Sequence, residues 1–213
     1  MLVISVLLVI GLFTSLYGVL GAADFGAGFW DLFAGGPERG APARRLIERV
    51  IGPVWEANHV WLIFILVFAW TAFPEPYAAV ASTLYIPLSL AGLGIVLRGA
   101  GFMFRKSAPT TASARRFGAG FAISSVLTPF FLGAVAGAVA SSRVPMGNAR
   151  GDIWASWLTP TSLLGGALAV GTCALLAAVL LTREATMRDD EAMAEYFRVR
   201  ALSAGVALGI LAL

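Results

Sequence analysis

The chain reads as an all-α protein, a polytopic transmembrane helix bundle with five complete spans plus the start of a sixth. Three observations carry that expectation. Of its 213 residues 59% are apolar and only 13% charged. Mean hydropathy is +0.84. Apolar runs of about 20 residues, enough to cross about 30 Å of hydrocarbon at about 1.5 Å per residue, recur along the chain.

Taken in order, Met1 to Ala23 holds no charged residue. Its apolar run exceeds the hydrophobic region of a secretory signal and no basic stretch precedes it, so it is expected to be retained as the first span. The second span runs from about Val54 to Phe73 and the third from about Tyr77 to Leu97. Only Pro74, Glu75 and Pro76 separate them. Proline disfavours helix at its own position and just before it, which predicts a tight helical hairpin. The fourth span covers roughly Phe117 to Ala140 and the fifth Thr161 to Leu181. The polar stretch from Arg183 to Arg200 has mixed charges and strong helix formers, which suggests a helix outside the bilayer extending the neighbouring spans. A sixth span starts near Ala201; the stretch to Leu213 is only the start of one.

Short loops rich in Lys and Arg stay on the cytoplasmic side. The odd-numbered connections carry Arg39, Arg44, Arg45 and Arg49, then Arg98, Arg105, Lys106, Arg115 and Arg116, then Arg183, Arg188, Arg198 and Arg200. The even ones carry only Arg143 and Arg150. The amino terminus is therefore expected outside. The net charge of +3 reflects topology, and nothing points to nucleic-acid binding.

The lone cysteine, Cys173, rules out a disulfide or thiolate metal site within the chain. A chain holding two haems would need several axial ligands, and one histidine and five methionines do not suit it. No phosphate loop, paired glycosidase-like carboxylates or nucleophile motif is present, so independent catalysis is not expected. Gly- and Ala-rich stretches at 118–122, 133–140 and 165–171 mark faces for close helix packing within the chain or against a partner. Trp154 and Trp157 read as interfacial anchors.

Chemistry concentrates in IGPVWEANHVWL, Ile51 to Leu62, where Glu56, Asn58 and His59 open an otherwise apolar segment. Charge inside the edge of a span is costly and marks function. On a helix Glu56 and His59 share one face, while Asn58 points about 200° away from Glu56. A carboxylate one turn inside the membrane exchanges protons if water reaches it, which suits a proton-entry path; the competing reading is that Glu56 stabilises the positive helix start. Asp24 follows a charge-free span and reads either as facing a polar cavity or as marking the membrane boundary before a glycine-rich turn. Arg98 and Arg105 flank the end of the third span, where positive-inside anchoring is the first reading and contact with lipid headgroups or a partner the second.

GPVWEANHVWL, the long apolar span after it, the FPEPY turn and LRGAGFMFR at Leu97 to Arg105 together resemble subunit II of cytochrome bd-type ubiquinol oxidases. DFGAG at Asp24 to Gly28 is similar to the family's segment after its first helix. The resemblance implies a heterodimer in the bacterial inner membrane, with haem b and haem d and the principal quinol site on a larger subunit I. This chain would stabilise that partner and contribute a cytoplasmic proton pathway. The acid of the family's W-[DE]-x-N motif corresponds to Glu56 and its amide to Asn58. Quinone is a further ligand that the family brings to the complex. Family members are built as two similar four-helix units, so residues 1–140 would form the first and 141–213 the start of the second. Two rival expectations remain: a small secondary transporter with Glu56 and His59 in a coupling-ion site, and a purely structural membrane subunit.

Overall fold

The computed structural model describes residues 2–52, 55–107 and 110–213, except for the side chains of 55–57, 106, 111 and 114. Among them the regular secondary structure is entirely helical: α1 (Leu2–Leu32), α2 (Ala41–Ile51), α3 (Trp55–Ala72), α4 (Pro74–Thr83), α5 (Tyr85–Lys106), α6 (Thr111–Ala140), α7 (Pro160–Thr186) and α8 (Glu191–Ala212). Four of these, α1, α5, α6 and α7, are long and apolar enough to cross a membrane. The bent pair α3 and α4 makes a fifth if counted as one broken span.

The sequence misplaces several boundaries, each for a physical reason. α1 does not stop at Ala23; it continues through Asp24 and the glycines to Leu32. Those glycines serve close approach. A Cβ on Gly26 would overlap the Cys173 carbonyl of α7, and one on Gly28 would overlap the Ser125 side chain of α6. Small residues let membrane helices pack at such range, which outweighs the weak helix propensity of glycine. The proline turn between α3 and the next helix is present, and the helix direction bends by 118° there. Trp70 and Tyr77 stack across the corner with ring centroids 6.5 Å apart. The expected third span breaks at Leu84, so the membrane-length helix there is α5, which starts at Tyr85 and runs to Lys106. The polar segment before Ala201 and the apolar one after it form a single helix, α8, with Asp190 capping Met193 N–H at 3.1 Å.

The bundle is knit by two sets of contacts. α1, α2, α7 and α8 share a core in which Trp30, Ile47, Leu181 and Phe197 are buried, and Trp30 Nε1 donates to the Ala174 carbonyl at 2.8 Å. α2 reaches that core because Ala43, Leu46, Ile47 and Ile51 recur at helical spacing on one face. Of the glycine faces expected for packing, those at 133–140 and 165–171 meet each other within the chain. A Cβ on Gly137 of α6 would lie 2.8 Å from Ser162 Cα of α7, and one on Gly165 of α7 would lie 2.7 Å from the Gly133 carbonyl. The amino-terminal part of α1 leaves Leu2, Leu8, Leu12 and Val19 exposed, as hydrocarbon-facing residues are.

Candidate functional site

α1, α3, α5 and α6 converge on a polar cluster inside this apolar bundle. Its centre is Asp24, 1% exposed. Asn58 of α3 donates from Nδ2 to Asp24 Oδ2 at 2.6 Å and to the Leu20 carbonyl at 3.2 Å. Oδ1 has no hydrogen-bond partner among the described residues, nor has the buried hydroxyl of Tyr17. A buried polar atom without a partner is uncommon and calls for an explanation.

Arg98 of α5 balances the carboxylate. It is 2% exposed and donates from Nη2 to the Asp24 carbonyl at 2.8 Å and from Nε to Ser125 Oγ at 3.2 Å. Its guanidinium carbon lies 5.0 Å from the Phe25 ring centroid and 5.2 Å from that of Phe121, so two aromatic faces carry the ion where water cannot. Ser125 is held in turn by its own bond to the Phe121 carbonyl at 2.6 Å. Pro129 sits four residues on and cannot donate to the Ser125 carbonyl, which loosens α6 at this level.

The expected site residues are partly brought together. Asp24 and Asn58 bond directly, Arg98 bonds to the Asp24 backbone, and His59 lies within electrostatic reach of Asp24 with its ring 6.3 Å from that of Phe25. The turn expected just after Asp24 is not what the structure has; Asp24 is buried within α1, which continues to Leu32. Glu56 begins α3, and its side chain lies outside the described residues. Arg105 is not in the cluster. It stands seven residues beyond Arg98 and forms a second acid–base rung with Asp31, seven residues beyond Asp24.

Residues 2–213 match the family model for cytochrome bd terminal oxidase subunit II. The chain belongs to that family. Among curated members of cytochrome bd subunit II, it is 27% identical over 209 residues to cytochrome bd-I ubiquinol oxidase subunit 2 of Escherichia coli K12, covering 94% of this chain and 52% of that one. It is 40% identical over 82 residues to cytochrome bd ubiquinol oxidase subunit 2 of Bacillus subtilis, covering 38% of this chain and 23% of the relative. A putative cytochrome bd menaquinol oxidase subunit II of the same organism is 29% identical over 117 residues, covering 54% and 34%. The chain thus spans about half the length, or less, of the relatives it matches.

In this subunit II chain the second rung went unrecognised in the sequence. Asp31, 5% exposed on its side chain, accepts from Arg44 Nε at 2.6 Å and from Arg105 Nη1 at 2.7 Å, and Arg105 Nε reaches Glu48 at 3.3 Å. The signal was available as matched seven-residue spacings, Asp24 to Asp31 and Arg98 to Arg105, which stack side chains about 10 Å apart on one face of a helix. Placing the end of α1 at Ala23 hid it.

Proposed function

We propose that this chain is part of subunit II of a membrane quinol:oxygen oxidoreductase of aerobic respiratory electron transport. In that reading it stabilises a haem-bearing subunit I and supplies a proton path to it from the cytoplasm. The observation that carries the reading is the Asp24 carboxylate, buried inside the bundle with one oxygen held by Asn58 and the other without a partner among the described residues. A carboxyl group kept inside a membrane protein is a functional group by default and a candidate for taking up and passing on a proton. Glu56 and His59 open α3 next to this point, and Asn58 and Arg98 hold Asp24 in register. With the amino terminus outside, the Arg-rich end of the bundle faces the cytoplasm, and the rungs Asp31 and Asp24 lead inward from it. Quinol binds to the complex.

Haem b and haem d belong on the partner in this reading. What supports this is the donor set, one histidine and five methionines in the whole chain, with the His59 ring 6.3 Å from that of Phe25, which in turn carries the Arg98 guanidinium. No step of the proton path runs through a haem on this chain.

The test of the whole reading is purification of the tagged full-length gene product from its native membrane, with absorption spectra and mass spectrometry of what accompanies it. A larger haem-bearing subunit and quinol oxidase activity are expected. A haem-free protein purifying alone would overturn the reading and favour a transporter. In the assembled enzyme, Glu56→Gln is expected to leave the haem spectrum unchanged and lower turnover about tenfold, equivalent to a barrier higher by about 1.4 kcal/mol. Unchanged turnover at every pH would remove Glu56 from the path.

A further inference from the structure

A cavity of about 490 Å³ opens at the end of the bundle where α1 finishes, α5 finishes and α6 begins. Its wall holds four guanidinium groups, Arg44, Arg45, Arg105 and Arg115, against two carboxylates, Asp31 and Glu48. The two acids are engaged: Asp31 by Arg44 and Arg105, Glu48 by Arg105. Arg44 is tied further to the carbonyls of Gly35 at 2.5 Å and Gly36 at 3.1 Å, which fixes the α1–α2 loop as one side of the cavity. Arg45 and Arg115 remain exposed and form no ion pair among the described residues. The cavity is thus built around a neutralised ion-pair network and carries at its mouth two positive charges without an ion-pair partner among the described residues.

Its position decides what those charges meet. Arg105 ends one candidate span and Arg115 begins the next, so both stand at the level where hydrocarbon gives way to headgroups. The lining is otherwise short and apolar at Leu32, Pro37, Ala119 and Ala122. Phe33 and Phe104 are more than half exposed on the same terminal turns of α1 and α5. The amphipathic α2 supplies Arg44 and Arg45 while its opposite face is buried in the core. Two free guanidiniums over an apolar floor at headgroup depth complement a phosphate ester that carries acyl chains.

We propose that this cavity binds the headgroup of an anionic phospholipid, with Arg45 and Arg115 on the phosphate and the acyl chains lying along α1 and α6. The site does not depend on the oxidase reading, and its test reads lipid binding rather than oxygen reduction. The full-length protein, with whatever subunits accompany it from the native membrane, is delipidated in mild detergent. It is then titrated with phosphatidylglycerol, phosphatidylcholine or inorganic phosphate and followed by native mass spectrometry and thermal unfolding. Phosphatidylglycerol is expected to be retained and to raise the melting temperature, with phosphatidylcholine and phosphate at least tenfold weaker.

Arg45→Gln with Arg115→Gln is expected to lower phosphatidylglycerol affinity by about tenfold or more, while Arg150→Gln, beyond the opposite end of α6, leaves it unchanged. Gly118→Leu fills the cavity without altering charge, because a Cβ there meets only Arg105 at an ordinary 3.6 Å. It is expected to lower the affinity as well, which keeps the test sharp if the double variant assembles poorly. Equal binding of the two lipids, equal action of inorganic phosphate, or wild-type affinity in both cavity variants would overturn the proposal. The same holds if Arg45 and Arg115 prove to be covered by an acidic segment of a partner.

Discussion

Replacing Arg98 by alanine is expected to reduce the membrane level of the protein several-fold or more, a larger loss than any single exposed arginine would cause. Arg98 provides the cation facing buried Asp24, donates to the Asp24 carbonyl and Ser125, and fills the space between Phe25 and Phe121. Removing it leaves a buried carboxylate uncompensated and a cavity between two aromatic rings. Breaking a buried charge arrangement from one side costs about 3–5 kcal/mol, a large part of the 5–15 kcal/mol or so that holds a typical domain together. Arg98→Lys is expected to fall between, since an ammonium keeps the charge but loses the planar fork that serves two acceptors and stacks on rings. Adding Asp24→Asn to Arg98→Ala should recover part of the level, because the orphaned charge goes with it. Immunodetection of the membrane fraction and thermal melting of the purified protein read all three. Wild-type levels of Arg98→Ala would contradict the charge-balance account.

Gly26→Val is expected to be as severe for a different reason. A Cβ at this position runs into the Cys173 carbonyl, with Ala177 Cβ only 2.7 Å away, and neither backbone carbonyl nor helix axis can turn aside as a long side chain would. α1 must then lift off α7, opening the core around Trp30 and its bond to the Ala174 carbonyl. Overpacking alone costs about 1–3 kcal/mol, and parting the two helices also forfeits the van der Waals attraction between their faces. Gly18→Val in the same helix is the control, because a Cβ there meets nothing within 4 Å. The two variants should separate cleanly in expression level and melting temperature. Comparable behaviour would mean that α1 and α7 do not depend on this close approach.

Much of this molecule was legible in the sequence because the bilayer imposes a simple rule on apolar length. The spans expected at Phe117 to Ala140 and Thr161 to Leu181 lie inside α6 and α7. The proline corner at Phe73–Pro74 was legible too, since proline acts locally. Boundaries set by tertiary contact were not. The glycines after Asp24 look like a turn from composition, and only the nearness of α6 and α7 explains why they remain helical. The break at Leu84 has its own local mark, which the apolar-length rule passes over: Pro87 cannot donate to the Thr83 carbonyl and its ring crowds it, so the helix restarts at Tyr85 with Pro87 in its first turn. The cluster was half visible: Asn58 and Asp24 were singled out separately, but they stand 34 residues apart in the chain, and nothing in either segment states that their side chains meet at 2.6 Å. Arg98 read as a surface anchor because a basic residue at a span end usually is one; its burial depends on Phe121 and Ser125, contributed by a helix the sequence offers no means of registering.

Family membership carries the architecture further than it carries the chemistry. The chain matches subunit II along its length but covers about half of the Escherichia coli relative, so what the buried carboxylate does rests on its geometry. Asp24→Asn is close to isosteric and keeps an oxygen for Asn58 while removing the exchangeable proton. The most direct measurement is quinol-driven oxygen consumption of the assembled Asp24→Asn enzyme, with haem content determined on the same sample. The proton-path account predicts full haem content with turnover lowered by more than about tenfold, a barrier raised by at least about 1.4 kcal/mol. Full haem content with wild-type turnover across the pH range would contradict it and leave Asp24 as a structural partner of Asn58 and Arg98.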